Sequence, residues 1–121
     1  MSSAPVLRAI VRQFGSAAQC VEPEQTPPPV AGPGEVVVRM TLAAINPSDL
    51  ITISGAYPTR TRLPFIPGFE GVGTLKDGSR VLPIGSAGAW QQLKLSDAAW
   101  CFPVPAWLTD EQAATSYVNP M

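Results

Sequence analysis

The 121-residue chain contains no histidine, so no zinc set can be completed with an imidazole. Its two cysteines, Cys20 and Cys101, lie far apart and in no CxxC pair. They read as buried small hydrophobes rather than as a disulfide or a ligand pair. Charge is also scarce: Asp, Glu, Lys and Arg make up 14% of the chain, against roughly 25% in an average soluble domain. Either much of the surface is neutral, or some of it is meant to be covered. A net charge of -1 with no Lys/Arg cluster excludes the electrostatic footprint of a nucleic-acid binder. No apolar run approaches the ~18 residues of a spanning helix, and "MSSAPVLRAI" lacks the basic start and long apolar middle of a secretory signal. The expectation is a cytoplasmic protein with no membrane partner.

Turn-forming residues are abundant instead. The 14 prolines and 10 glycines are interspersed with apolar runs rather than gathered in a repeat. Turns between short strands explain that pattern better than disorder does, and the length suits one domain. "LRAIVRQFG" reads as a first strand, and the proline-rich "QCVEPEQTPPPVAGPGE" as an edge strand running into an extended loop. "EVVVRMTLAAI", launched from the Pro-Gly turn at 33 and 34, is the strongest strand. It is apolar on both faces and is expected to be central.

Asn46 before Pro47 has the chemistry of a helix N-cap with proline in the first turn, and a single helical turn is expected to end at Gly55. "AYPTRTRLPFIPG" should be an irregular loop, the usual location for functional side chains. "FEGVGTL", the "KDGS" turn, "RVLPI", "AWQQLKLS" and "AAWCFPVP" then follow as short strands at barrel or sandwich spacing. Thr109 and Gln112 form a capping-box pattern that starts a helix near residue 110, and Asn119 before Pro120 repeats the N-cap signal.

Taken in order, "GPGEVVVRMTLAAINPSDLITISGAYPTRTRLPFIPGFEGVG", "GSRVLP", "AWQQ", "FPVP", "LTDEQAA" and "VNPM" resemble the N-terminal part of medium-chain dehydrogenase/reductase enzymes. The nearest branch is the zinc-independent enoyl thioester reductases, with NADPH quinone oxidoreductases next. The resemblance implies a mainly β, GroES-like, partly open β-barrel with short helices. It implies a catalytic domain over 1–108 and, over 109–121, the start of a helical linker toward a Rossmann domain that this chain lacks. NADPH is the implied cofactor, its main site lying in that missing domain. A homodimer is implied for the full-length protein, and the uncovered apolar surface of this piece is expected to favour self-association.

Zinc-dependent relatives hold their metal with a cysteine after the central strand and a histidine in "GHE". Here those stretches read "INPSD" and "GFE", so no metal is expected; Asp49 and Glu70 alone would make a poor zinc site. Without a Lewis acid, reducing a conjugated double bond needs a hydride donor and a group that stabilises or protonates the enolate. A phenol, protonated at neutral pH, suits that role. Tyr57 matches the family's catalytic tyrosine; its alternative use is as a half-buried loop anchor. Asn46 and Asn119 match cofactor-contacting asparagines, and each could equally serve only as a cap. Arg60 and Arg62 are candidates for a substrate's phosphates, or simple solvated loop charges. Glu70 is expected to hold loop backbone, and Leu63, Phe65, Ile66 and Phe69 to line an acyl pocket or close the barrel.

The connection "TLKD" is shorter than the family's usual hairpin, and an altered cleft rim and substrate preference are expected from it. The leading function is reduction of 2-enoyl thioesters. Quinone reduction is the enzymatic alternative, and a non-catalytic GroES-like binding or assembly module, or an inactive fragment, the alternative of another class.

Overall fold

The computed structural model describes residues 4–56 and 61–116. Among these residues seven strands form two sheets: β1 (Val6–Val11), β2 (Val21–Thr26), β3 (Glu35–Ala43), β4 (Gly71–Thr74), β5 (Arg80–Pro83), β6 (Leu93–Asp97) and β7 (Cys101–Pro103). Among the described residues three α-helices accompany them, α1 (Ala17–Cys20), α2 (Pro47–Ser54) and α3 (Asp110–Ala114), with a 3-10 turn at Ala98–Trp100. The expected mainly β domain with short helices is what forms.

β1 and β2 make an antiparallel pair, with Ala9 opposite Pro23. A proline has no N–H to give a ladder, which suits β2 to a sheet with only one neighbour. The other five strands are ordered β6-β3-β4-β5-β7, and every neighbouring pair is antiparallel. β3 is therefore interior, as its sequence predicts. Its burial is less complete than predicted: Val38 is fully buried, while Leu42 keeps 38% of its surface exposed. Thr41, Leu42 and Ala43 are all exposed, so the end of the strand is open among the described residues.

β3 and β4 approach closely because β4 carries Gly71 and Gly73. A Cβ on Gly73 would overlap the Arg39 carbonyl oxygen and Val38 Cγ1; one on Gly71 would overlap the Leu42 carbonyl oxygen and Met40 Cε. The glycines in "FEGVG" thus serve strand contact rather than a turn.

α2 has eight residues rather than the single turn read from the sequence. Gly55 ends it as predicted, in the left-handed conformation at φ 92°. The helix runs further because its buried residues Asp49, Thr52 and Ile53 anchor successive turns to the domain. Ile53 packs with Val11 and Cys20, and Phe65 and Trp90 close over that cluster. A second core joins Val72 to Ala113 and Ala114 of α3, with Leu82, Val104 and Leu108 around it. The capping box starting α3 is present: Gln112 N donates to Thr109 Oγ1 at 3.1 Å, and Thr109 N to Gln112 Oε1 at 3.0 Å. Both cysteines are free, Cys20 buried and Cys101 half-buried. The N-cap expected at Asn119 lies outside the described residues.

Gly73→Ala is expected to destabilise the domain by about 1–3 kcal/mol through overpacking. Urea unfolding of wild type and variant measures it, and an unchanged midpoint would show that β3 and β4 can separate at little cost.

Candidate functional site

The loop between α2 and β4 is stitched down on three sides. Val11 and Phe65 exchange backbone hydrogen bonds at 2.9 and 3.0 Å, which joins the loop to β1. Trp90 N donates to the Pro67 carbonyl at 3.0 Å, and Gly88 N to the Gly68 carbonyl at 2.9 Å. Ala44 N donates to the Glu70 carbonyl at 3.1 Å, at the end of β3. Gly68 sits at φ 108°, where a Cβ would overlap Trp90 Cδ1 and the Ala89 side chain. Only glycine fits there.

Below this loop lies a buried polar network. Asp49, 1% exposed, accepts Asn46 N at 2.8 Å on Oδ2 and Phe69 N at 3.1 Å on Oδ1. Asn46 Nδ2 donates to Glu70 Oε2 at 2.8 Å, and these two residues are 4% and 2% exposed. Burial pushes the Asp49 carboxyl above its usual range; the N–H groups of Asn46 and Phe69 pull it back, and the charge of Glu70 adds to the rise. The loop backbone is thus gripped by Asp49, while Glu70 receives the Asn46 side chain.

Between α2, the loop and residues 87–91 opens a cleft of about 560 Å³. Phe65, Ile66, Pro67 and Phe69 supply most of its apolar wall, and Asp49, Thr52, Thr61, Arg62 and Gln91 its polar groups. Ser48 also lines it, with a buried Oγ that has no hydrogen-bond partner among the described residues. Arg62 has no ion-pair partner among those residues either. The cleft suits a largely apolar ligand carrying a few polar or anionic atoms.

Of the residues singled out in the sequence, Arg62 reaches the cleft, as do Phe65, Ile66 and Phe69. Leu63 is 39% exposed and does not. Asn46 lies behind the wall, in the network just described. Tyr57, Arg60 and Asn119 fall outside the described residues. Sequence reasoning passed over Ser48 and Gln91, which carry no motif of their own. It treated Asp49 only as a possible metal ligand, although its place three residues after Asn46 is the capping-box spacing.

Lys94 was also missed. It is 2% exposed, with Nζ 3.0 Å from Ser86 Oγ and 3.3 Å from Ser96 Oγ, so it braces the segment that leads into Ala87 and Gly88 of the cleft wall. Burial pushes its amine below the ordinary range, and proximity to Cys101 works weakly the other way. A lysine between two leucines gives no sequence signal of being turned inward.

The alcohol dehydrogenase GroES-like domain profile matches residues 32–106. The chain belongs to that family. It is 33% identical over 128 residues to the rat synaptic vesicle membrane protein VAT-1 homolog, covering 96% of this chain and 32% of that one. With the mitochondrial enoyl-[acyl-carrier-protein] reductase of Caenorhabditis elegans it shares 38% identity over 97 residues, covering 71% of this chain and 28% of the relative. A solved structure of a candidate NADPH:quinone reductase from Bacillus thuringiensis superposes with a TM-score of 0.92 at 37% identity, covering 98% of this chain and 39% of that one. The chain therefore spans about a third of the length of the curated relatives it matches. These relatives bear out the resemblance to the N-terminal part of medium-chain dehydrogenase/reductase proteins. No helix among the described residues of this GroES-like domain is long and apolar enough to cross a membrane.

Asn46→Ala would leave a buried Glu70 oxygen without its amide donor and is expected to cost about 1–3 kcal/mol of stability in urea unfolding. Lys94 makes a pH prediction. The folded chain holds that proton less tightly than the unfolded chain, so stability is depressed while the amine is charged. It recovers as pH rises through the lowered folded value toward the ordinary 10.5. Lys94→Met, which removes the charge, is expected to be at least as stable as wild type near neutral pH. The gap between them should narrow as pH approaches about 10. A gap that widened would reverse the assigned direction.

Proposed function

We propose that this chain is the catalytic-domain part of an NADPH-dependent oxidoreductase that reduces the α,β double bond of 2-enoyl thioesters. The observation that carries the reading is the apolar cleft with Arg62 at its wall, without an ion-pair partner among the described residues, on the segment that follows Tyr57. The similarity to an enoyl-[acyl-carrier-protein] reductase supports it.

The described residues fit the cofactor only in part. α1 and α3 have four and five residues, and α2 begins at an asparagine-proline cap rather than a glycine-rich turn. None is a cradle for dinucleotide phosphates. The cleft suits a flat ring and the reacting end of a substrate, with the phosphates held by chain outside these residues. Reduced nicotinamide, when bound, supplies the hydride that adds to the β-carbon of the enoyl group.

The tasks left to this chain are orientation, exclusion of water and handling of one proton. As the β-carbon gains its new bond, the π electrons move toward the thioester oxygen and leave an enolate. The Tyr57 phenol donates a hydrogen bond to that enolate and supports protonation at the α-carbon. Phe65, Ile66 and Phe69 keep the acyl group out of water, which strengthens the polar contacts inside. Arg62, with Arg60, meets the phosphate of the thioester's carrier arm. Asn46, held by Glu70 behind the cleft wall, lies near the nicotinamide or substrate and supports that wall, and Asn119 contacts the cofactor from the hinge toward the next domain.

A second reading, quinone reduction, is favoured by the high similarity to the Bacillus thuringiensis structure. A reduced quinone can take its protons from water, so it places no demand on Tyr57.

In the whole protein, NADPH oxidation with crotonyl-CoA is expected, and Tyr57→Phe should slow it by about a hundredfold or more. Unchanged turnover in Tyr57→Phe would remove the tyrosine's role, and turnover of 1,4-benzoquinone without enoyl-CoA would decide for the quinone reading.

A further inference from the structure

β6 carries its polar side chains inward and its apolar ones outward. Lys94 and Ser96 are buried, while Leu95 and Asp97 are exposed and Leu93 is half-buried. The register with β3 sets Glu35 opposite Asp97, Val37 opposite Leu95 and Arg39 opposite Leu93. Residues directly opposite in a ladder share a face, so these six stand together on the outer side of the sheet. All six are exposed or half-buried. A sheet ordinarily buries an apolar face against a second layer, yet Val37, Leu93 and Leu95 keep theirs partly in solvent.

The charges on this face are separated by sign. Glu35 and Asp97 lie at one end of the β3–β6 ladder and Arg39 at the other. At ~3.3 Å per residue, Arg39 is about 13 Å from Glu35 along the strand, too far for the two to pair. None of the three is in an ion pair among the described residues. The acids are held in place by backbone instead: Glu35 accepts Gly32 N at 3.0 Å and Asp97 accepts Ala99 N at 2.9 Å. The exposed Lys76, in the turn after β4, stands beside Val37, and its flexible stem can keep the amine in water.

We infer that this face is a contact between two copies of the chain. Opposite charges flanking an apolar centre form a self-complementary pattern. A two-fold axis lying across the strands at Val37 and Leu95 sets Arg39 of each copy over Glu35 of the other, with Asp97 beside each pair. The apolar centres then meet face to face, with β3 running antiparallel to its equivalent at the usual ~10 Å between packed sheets. A partner carrying charge of one sign would be repelled at one end of the face. The inference is independent of the reductase reading, because none of these six residues lines the cleft.

The test is analytical ultracentrifugation of the 121-residue chain at concentrations up to about 1 mM, which reaches the weak end of specific contacts. Wild type is expected to dimerise reversibly. Arg39→Glu sets acids against Glu35, and Glu35→Arg sets arginine against Arg39, so each variant alone should weaken the dimer by about tenfold or more. Mixed in equal amounts, the two variants should pair nearly as well as wild type, because both contacts across the axis return with their charges exchanged. Leu95→Gln, which alters only the apolar centre, should also weaken the dimer, and it carries the test if either charge variant has a lowered urea midpoint. A wild type that stays monomeric would overturn the inference and leave the face to a different partner. A dimer indifferent to all three substitutions, or folded charge variants that fail to pair when mixed, would overturn it as well.

Discussion

The site depends on one buried carboxylate. Asp49 accepts the backbone N–H of Asn46 at the start of α2 and that of Phe69 in the loop across from it. One side chain thereby sets the distance between a helix and a loop that share no regular secondary structure. Asn46 passes the connection on to Glu70, the residue just before β4. A charge buried without such partners would cost several kcal/mol, so the network tolerates little rearrangement. The cleft wall inherits its shape from that intolerance.

The rest of the domain packs an apolar cluster against the same helix and loop. The β1–β2 pair and α1 place Val11 and Cys20 under Ile53, and Phe65 and Trp90 close over them. Trp90 Nε1 also donates to the Ala44 carbonyl at 3.0 Å, binding the residues before β6 to the chain just ahead of Asn46. Hydrophobic burial and polar satisfaction meet at the same few residues. That explains how an irregular loop can serve as a firm wall.

Lys94 belongs to a different balance. Among the described residues its buried amine is braced by two hydroxyls, and with Lys94 turned inward Leu95 faces out.

The asparagine-proline start of α2, its glycine end, the Thr109–Gln112 box and the alternation of short strands with proline and glycine turns were determined by the sequence alone. Each depends on residues within a turn or two of one another, and the chemistry of caps and turns is local. So was the family, because its motifs occur in order. The tertiary structure alone decided that α2 would run two turns, that Glu70 would take the Asn46 amide, and that Lys94 would face inward while Leu95 faced out. Those outcomes rest on contacts and on a register between segments distant in the chain, and with a side-chain period of two a single step of register exchanges the faces of a strand.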